Sequence, residues 1–253
     1  MTRSPSTQQD SSRSEETPLL TLIIGESALE TIPAMMAHHP SVLRHAARRG
    51  KRAEETLLDR SYHHSAMRTL ENASKRGRPD IAHFTLLEAL GSPLNKEGAL
   101  RIYVHTIDDW VISVSPQTRL PRNYDRFVGL IEQLFQTGRI PPEGTALLEM
   151  KKQTLNEQVK EINPTHLVAL TINGTPKTSD QVANELARED RPTILIGGFP
   201  HGHFKETTVH LATQLATIDP EPLEAWIVAS RVLSSFERAI GLPEKRILRY
   251  RRT

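Results

Sequence analysis

The stretch Ile196-Gly197-Gly198-Phe199-Pro200-His201-Gly202 runs from apolar residues into paired glycines. Glycines there let backbone amides come close to a ligand, and the carboxyl ends of strands in open α/β sheets are where ligands bind. The stretch is neither GxGxxG nor a Walker loop, and a plain tight turn is the competing reading. A second group, Arg119, Arg122 and Arg126, falls at spacings of three and four. If a helix starts near Asn123, Arg122 and Arg126 share a face and Arg119 projects from the loop before it. Planar guanidinium forks suit phosphates and stack on bases; pairing with Asp125 is the alternative. In Gly77-Arg78-Pro79-Asp80 an arginine two residues before an acid can hold a phosphate while the acid orients it. Asp59, Tyr62, His63 and His64 lie upstream without an HExxH or supporting carboxylate spacing, so no metal is expected.

These groups need a scaffold. Leu19–Ile24, ending at Gly25, reads as a buried strand. Ser27 with Glu30 offers a capping box for a helix over Ala28–Ala37. Further helices are expected over Ser65–Lys75, Ile81–Leu90, Leu147–Ile162 and Glu224–Ile240. Arg101–Thr106 and Trp110–Val114 form a hairpin around Asp108-Asp109, after a turn at Ser92–Asn95. Asn123 caps a helix from Tyr124 to Gln136, with Phe127, Leu130, Ile131, Leu134 and Phe135 on one face. His166–Thr171 is a strand ending near Asn173-Gly174, and Thr178-Ser179-Asp180 caps a helix to Glu189. Thr193–Ile196 is a buried strand, Phe204–Val209 a loop or short helix, and Leu211–Ile218 a strand. Alternating strands and helices argue an α/β fold with a mainly parallel sheet.

The 253 residues allow one large domain or one with an appendage: residues 18–240 as the domain, 1–17 as a disordered tail, 241–253 as a basic C-terminal tail. Zero cysteines exclude a disulfide scaffold, a zinc–thiolate site, an iron–sulfur cluster and a cysteine nucleophile. No apolar run is long enough for a membrane span, and the first residues lack the apolar core of a signal peptide; a cytoplasmic protein is expected. The net charge of +2 hides basic clusters at 44–52, 75–78, 119–126 and 245–252. Each is either a phosphate-binding footprint or a solvated face.

Asp59-Arg60-Ser61-Tyr62-His63, Arg76-Gly77-Arg78-Pro79-Asp80-Ile81, Ser92-Pro93-Leu94-Asn95, Pro116-Gln117-Thr118-Arg119-Leu120-Pro121-Arg122 and the Gly-Gly-Phe-Pro-His-Gly stretch occur in one order from about Leu19 to Arg231. Together they resemble the ribosome-biogenesis family of pseudouridine N1-specific methyltransferases (the nucleolar essential protein family of the SPOUT class), in its archaeal form. The resemblance implies an α/β fold with a C-terminal trefoil knot, a homodimer, S-adenosyl-L-methionine as cofactor and a pseudouridine of small-subunit ribosomal RNA as substrate. It implies RNA contacts by Arg78, Arg119, Arg122 and Arg126, with Asp80 steadying Arg78. It puts the cofactor against Thr171 and Gly174, against Gly197, Gly198, His201 and Gly202, and against Ile218, Asp219, Pro220, Glu221, Pro222, Leu223 and Ala225. Asp219-Pro220-Glu221-Pro222 departs from the family's wording. On this reading Gly198→Val would crowd the cofactor out. Methylating N1 of pseudouridine releases a ring proton, and Asp59 is either the acid that takes it or a helix N-cap. The target base has to be flipped out or already lie in a loop. A non-catalytic assembly factor is the alternative function; the intact glycines of the 197–202 loop favour the enzyme. A knotted methyltransferase acting on transfer RNA is a weaker reading, against which the three arginines speak through the resemblance alone.

Overall fold

A computed structural model describes residues 20–251; the expected tail at 1–17 lies outside them. In chain order the elements are β1 (Leu20–Ser27), α1 (Pro40–Arg48), α2 (Arg60–His63), α3 (Pro79–Gly91), α4 (Pro93–Lys96), β2 (Leu100–Thr106), β3 (Trp110–Val114), α5 (Tyr124–Thr137), β4 (Arg139–Ile140), β5 (Leu148–Lys152), α6 (Leu155–Ile162), β6 (His166–Pro176), α7 (Ser179–Leu186), β7 (Pro192–Gly197), α8 (Glu206–Val209), β8 (Gln214–Thr217), α9 (Ala225–Ala239) and α10 (Leu242–Tyr250). The strands form one sheet in the order β4-β5-β3-β2-β1-β7-β6-β8. The pairs β1–β2, β1–β7, β6–β7 and β6–β8 are parallel; β2–β3, β3–β5 and β4–β5 are antiparallel.

The central strands are apolar on both faces because helices cover both. Leu20, Leu22 and Ile24 of β1 join the main core with residues of α3, α5, α7 and α9, while Ile23 points to a second core with Leu155, Leu167, Leu195 and Phe204. A third core, built from Ile32, Met36, Val42, Leu58 and Met67, belongs to the segment between β1 and α3. Buried Glu132 of α5 anchors that segment. Its carboxylate accepts from Arg49 Nη1 and Nη2, both at 2.8 Å, from Lys51 Nζ at 2.6 Å and from the Leu57 amide at 3.0 Å. Four donors satisfy one buried carboxylate, and losing a partner of such a group typically costs about 3–5 kcal/mol.

Three expected helices give way to tertiary pairing. Ser27 is a strand residue rather than an N-cap, and Ala28–Ala37 is irregular apart from a 3₁₀ turn at Ala34–Met36. Pro33 lacks the amide that a helix interior needs, Thr31 bridges to Leu57, and Arg76 draws Glu30 into a buried ion pair. Ser65–Lys75 forms two 3₁₀ turns, Ala66–Thr69 and Ala73–Lys75, separated by Asn72 in a left-handed conformation at φ 53°. Leu147–Ile162 is a strand followed by a helix. Leu148 and Met150 alternate inward against β3, and a Thr154/Glu157 capping box starts α6. The hairpin, the Asn123 cap and the Thr178 cap match expectation. The Ser92–Asn95 turn becomes the one-turn helix α4, which Ser92 caps. Residues 242–250 are helical; Leu242 is buried, and Arg246 and Arg249 both pair with Glu97.

Candidate functional site

A cavity of about 250 Å³ opens at the carboxyl ends of β6, β7 and β8, the end of a parallel sheet where ligands bind. Leu170, Ile196, Ile218, Leu223 and Val228 supply apolar walls, and Thr171, Thr217, Asp219, Glu221 and Glu224 a polar edge. A bulge in β6 shapes one side. Leu170 and Thr175 both pair with Ala216 of β8, so residues 171–174 are extra and push Thr171 and Ile172 into the cavity. The 198–205 loop forms the opposite side and is clamped from below. Buried Glu26, held at φ 49°, pairs with Lys75 Nζ at 2.5 Å and accepts from the Lys205 amide at 2.8 Å. Lys75 also donates to the His203 carbonyl at 2.7 Å and lies 3.9 Å from the Phe199 ring centre. Hydrogen bonds on both partners are what make such a buried pair tolerable.

Of the residues expected to hold the cofactor, Thr171, Gly197, His201, Gly202, Ile218, Asp219, Glu221, Pro222, Leu223 and Ala225 line the cavity. Gly174, Gly198 and Pro220 do not. A Cβ on Gly174 would fall on the Ala216 backbone, so this glycine lets the bulged strand close on β8. A Cβ on Gly198 would lie 2.7 Å from Ser27 Oγ and 2.8 Å from Ile24 Cγ2, so this glycine seats the loop against β1. Ile172, Phe199, Pro200 and Glu224 fall within the segments expected around the cofactor, and Ile196 heads the glycine-rich stretch; sequence reasoning missed Ile81, Leu170, His203, Phe204, Thr217 and Val228. Several adjoin residues that were expected, but Ile81 and Val228 come from helices and carry no local signal.

Arg78 is the N-cap of α3, three residues before Ile81 of the cavity wall. Its Nε and Nη2 donate to the two Asp80 carboxylate oxygens at 2.8 and 2.7 Å, a bidentate pair that fixes the guanidinium plane. Arg119, Arg122 and Arg126 are exposed, and among the described residues none of them makes an ion pair, with Asp125 or any other acid. Their loop is tied down at three points: Asn95 Nδ2 donates to the Pro116 carbonyl at 3.0 Å, Thr118 Oγ1 to the Leu147 carbonyl at 2.8 Å, and His83 Nε2 to the Pro121 carbonyl at 2.7 Å. His83 is itself fixed by stacking on Phe127, 4.2 Å between ring centres. The loop is therefore a rigid mount for cations.

Asp59 is the N-cap of α2. One carboxylate oxygen accepts from the Ser61 amide at 2.8 Å and the other from the Tyr124 hydroxyl at 2.5 Å. Burial, then that hydrogen bond, pushes the Tyr124 phenol well above its usual range. Asp59 does not line the cavity. His63, on the same turn, accepts from the Asp59 amide at 3.0 Å and meets His45 Nδ1 at 2.9 Å. Burial, then the neighbouring His45, lowers its pKa to about 4. An unfolded histidine takes its proton near pH 6.5 and the folded one only near 4, so stability falls as pH drops through that window and is fully present above it. The loss expected from this group is on the order of 3 kcal/mol, read from urea midpoints at pH 7 and pH 4.5. A His63→Asn variant whose midpoint falls just as steeply would contradict the assignment. Among the described residues no group of three or more metal-ligating side chains occurs.

A mostly parallel sheet with a small-molecule cleft at its strand ends, together with a tied-down loop of unpaired arginines, is an α/β architecture suited to a compact ligand and a phosphate-bearing partner. The comparisons give the family. The profile described as EMG1/NEP1 methyltransferase matches residues 22–237. The chain is 45% identical over 224 residues, covering 88% of this chain and 100% of the relative, to the ribosomal RNA small subunit methyltransferase Nep1 of Thermococcus kodakarensis. It is 44% identical to the protein of the same name from Pyrococcus furiosus, over 86% of this chain and 96% of that one. The crystal structure of Archaeoglobus fulgidus Nep1 bound to S-adenosylhomocysteine superposes with a TM-score of 0.77 at 38% identity, covering 88% of this chain and 99% of that one. This chain belongs to the EMG1/NEP1 methyltransferase family.

Proposed function

We propose that this protein transfers a methyl group from S-adenosyl-L-methionine to N1 of a pseudouridine in small-subunit ribosomal RNA. The observation that carries this reading is the adjacency of two devices: the cavity at the ends of β6, β7 and β8, and the Arg78–Asp80 pair three residues from its wall at Ile81. The names of the relatives supply the RNA class, and the ligand of the Archaeoglobus protein the cofactor class.

The cavity fits such a cofactor chemically. Its volume of about 250 Å³ lies just under the usual small-molecule range of about 300–1,000 Å³, and it combines apolar walls with hydrogen-bonding edges. Leu170, Ile196, Leu223 and Val228 would hold the apolar parts, and the strand-end segments at Thr171, Gly197 and Asp219 the polar ones. The cofactor supplies a methyl group already activated on a sulfonium. What remains for the protein is placement. Arg78 holds a phosphate next to the cavity, and Arg119, Arg122 and Arg126 hold the flanking backbone.

Asp59 is the proposed acceptor of the N1 proton. Asp59→Asn keeps the N-cap acceptor and removes the basic carboxylate, so kcat is expected to drop about 100-fold, with a lowered Tm because the Tyr124 hydroxyl loses its carboxylate acceptor; an unaltered kcat would leave Asp59 the structural role alone. We further propose that the C-terminal half is knotted and that the protein is a homodimer. Partly exposed Phe84 and Trp226, packed edge to face at 5.2 Å beside exposed Ile227, support an apolar self-association surface. A sedimentation coefficient of a single chain would refute the dimer.

The deciding experiment offers labelled S-adenosylmethionine and two RNA stem-loops that differ in one pseudouridine. Label on the pseudouridine RNA alone is the expected result. No label on either, with tight salt-sensitive RNA binding retained, would favour a non-catalytic assembly role.

A further inference from the structure

Of the basic clusters along the chain, most are neutralised. Arg49 and Lys51 serve Glu132, Arg52 pairs with Glu55, Lys75 with Glu26, Arg76 with Glu30, and Arg246 and Arg249 with Glu97. Outside the loop at 119–126, the exposed side of α1 keeps two cations, Arg44 and Arg48, one helical turn apart, with no ion pair among the described residues. Between them in sequence is His45, and on His45 lies Tyr62. The two rings are parallel to within 11° with centres 4.1 Å apart. Tyr62 is still 46% exposed: His45 covers one side of the ring and solvent reaches the other.

The stack is held from beneath. The Asp59 amide donates to His63 Nδ1, which leaves the His63 proton on Nε2 to be donated to His45 Nδ1. His63 is completely buried, so His45 cannot turn without breaking this chain. Asp59 in turn accepts from Tyr124 of α5, which sits in sequence between Arg122 and Arg126. One ring stack and three hydrogen bonds thus link the exposed ring to α5, next to Arg122 and Arg126.

We propose that Tyr62, backed by His45, is a stacking platform for one unpaired base of the substrate RNA, and that Arg44 and Arg48 hold phosphates beside it. The proposal rests on the RNA reading above and extends it to a surface away from the cavity. An exposed aromatic ring with a fixed orientation suits a nucleobase, because every base has a π-face and the ring does not have to be ordered on binding. The two guanidiniums supply the backbone attraction that stacking lacks.

The test uses the full chain and an RNA stem-loop of small-subunit type in which loop bases are replaced one at a time by 2-aminopurine. Binding is followed by fluorescence and by filter retention across a salt series. One loop position is expected to be quenched on the wild-type protein. Tyr62→Ala should abolish that quenching and weaken binding about tenfold, whereas Tyr62→Phe should keep both. The double variant Arg44→Ala, Arg48→Ala should keep the quenching and lower the slope of log K against log salt by about 0.7 per residue removed. Wild-type RNA binding that Tyr62→Ala leaves intact would overturn the platform while the RNA reading stands. A wild-type protein that binds no RNA would overturn that reading and the platform with it. Thermal melts of each variant separate lost contact from lost fold.

Discussion

Gly198→Val is expected to destabilise the fold by about 3 kcal/mol or more, a large share of the roughly 5–15 kcal/mol that holds a typical domain together. A Cβ there meets Ser27 Oγ at 2.7 Å and both Ile24 Cγ2 and Ser27 Cα at 2.8 Å. Neither side can yield. The Gly198 amide donates to the Gly25 carbonyl at 2.8 Å, and its own carbonyl accepts from the Ala28 amide at 2.8 Å, so the loop is stitched to β1 on both sides of the residue. Ile24 and Ser27 belong to the central strand of the sheet and are fully buried. Valine adds two further methyl groups to this collision. Cofactor affinity should fall only as the folded fraction falls, because Gly198 does not line the cavity. Urea titration and calorimetry on one preparation decide the matter. A variant with native stability that no longer binds the cofactor would restore the idea that Gly198 is open to the ligand.

Replacing Arg119, Arg122 and Arg126 together by alanine should weaken RNA binding about 100-fold near physiological salt, at roughly 1 kcal/mol for each exposed charge-assisted contact. The salt slope should flatten by about 0.7–0.9 for each arginine removed. Folding should be nearly unaffected, since the three side chains are exposed and make no ion pair among the described residues. Cofactor binding should also be unchanged, because none of the three borders the cavity. What makes the effect large is the mount: Asn95, Thr118 and His83 hold the loop backbone in place, so no backbone ordering cost is added to that of the arginine side chains. Equal loss of RNA and cofactor binding would sink the division of labour between loop and cavity.

The motif residues around these arginines acquire physical roles. Asn95, in the Ser-Pro-Leu-Asn turn, is a tether for the loop that begins at Pro116. Asp80 makes a fork for Arg78. Tyr62 and His63, in the Asp-Arg-Ser-Tyr-His run, belong to the ring stack and its support. Their order along the chain was enough to suggest the family, and the Arg78–Asp80 pair was legible in its two-residue spacing, but the other partnerships could not be read from spacing, because they join residues 17 to 21 positions apart and depend on which elements meet.

By itself the sequence determined what neighbours decide. Asn123 and Thr178 cap helices because their side chains reach amides three residues on. Leu20–Ile24 and Thr193–Ile196 are buried strands because continuous apolar runs need cover on both faces. The glycine-rich exit from β7 marked one wall of the cavity. Only the tertiary structure decided the rest. β5 is a strand because β3 offers it an edge, where local pattern alone favoured a helix. Glu30 was drawn from a cap into a buried pair by Arg76, 46 residues away. Gly174 and Gly198 have to be glycine because distant backbone and side chains press on them. The cavity exists because Ile81 and Val228, far apart in the chain, meet at the same strand ends. Short-range preferences are written in adjacent residues, whereas close approach and charge pairing follow from which surfaces the folded chain brings together.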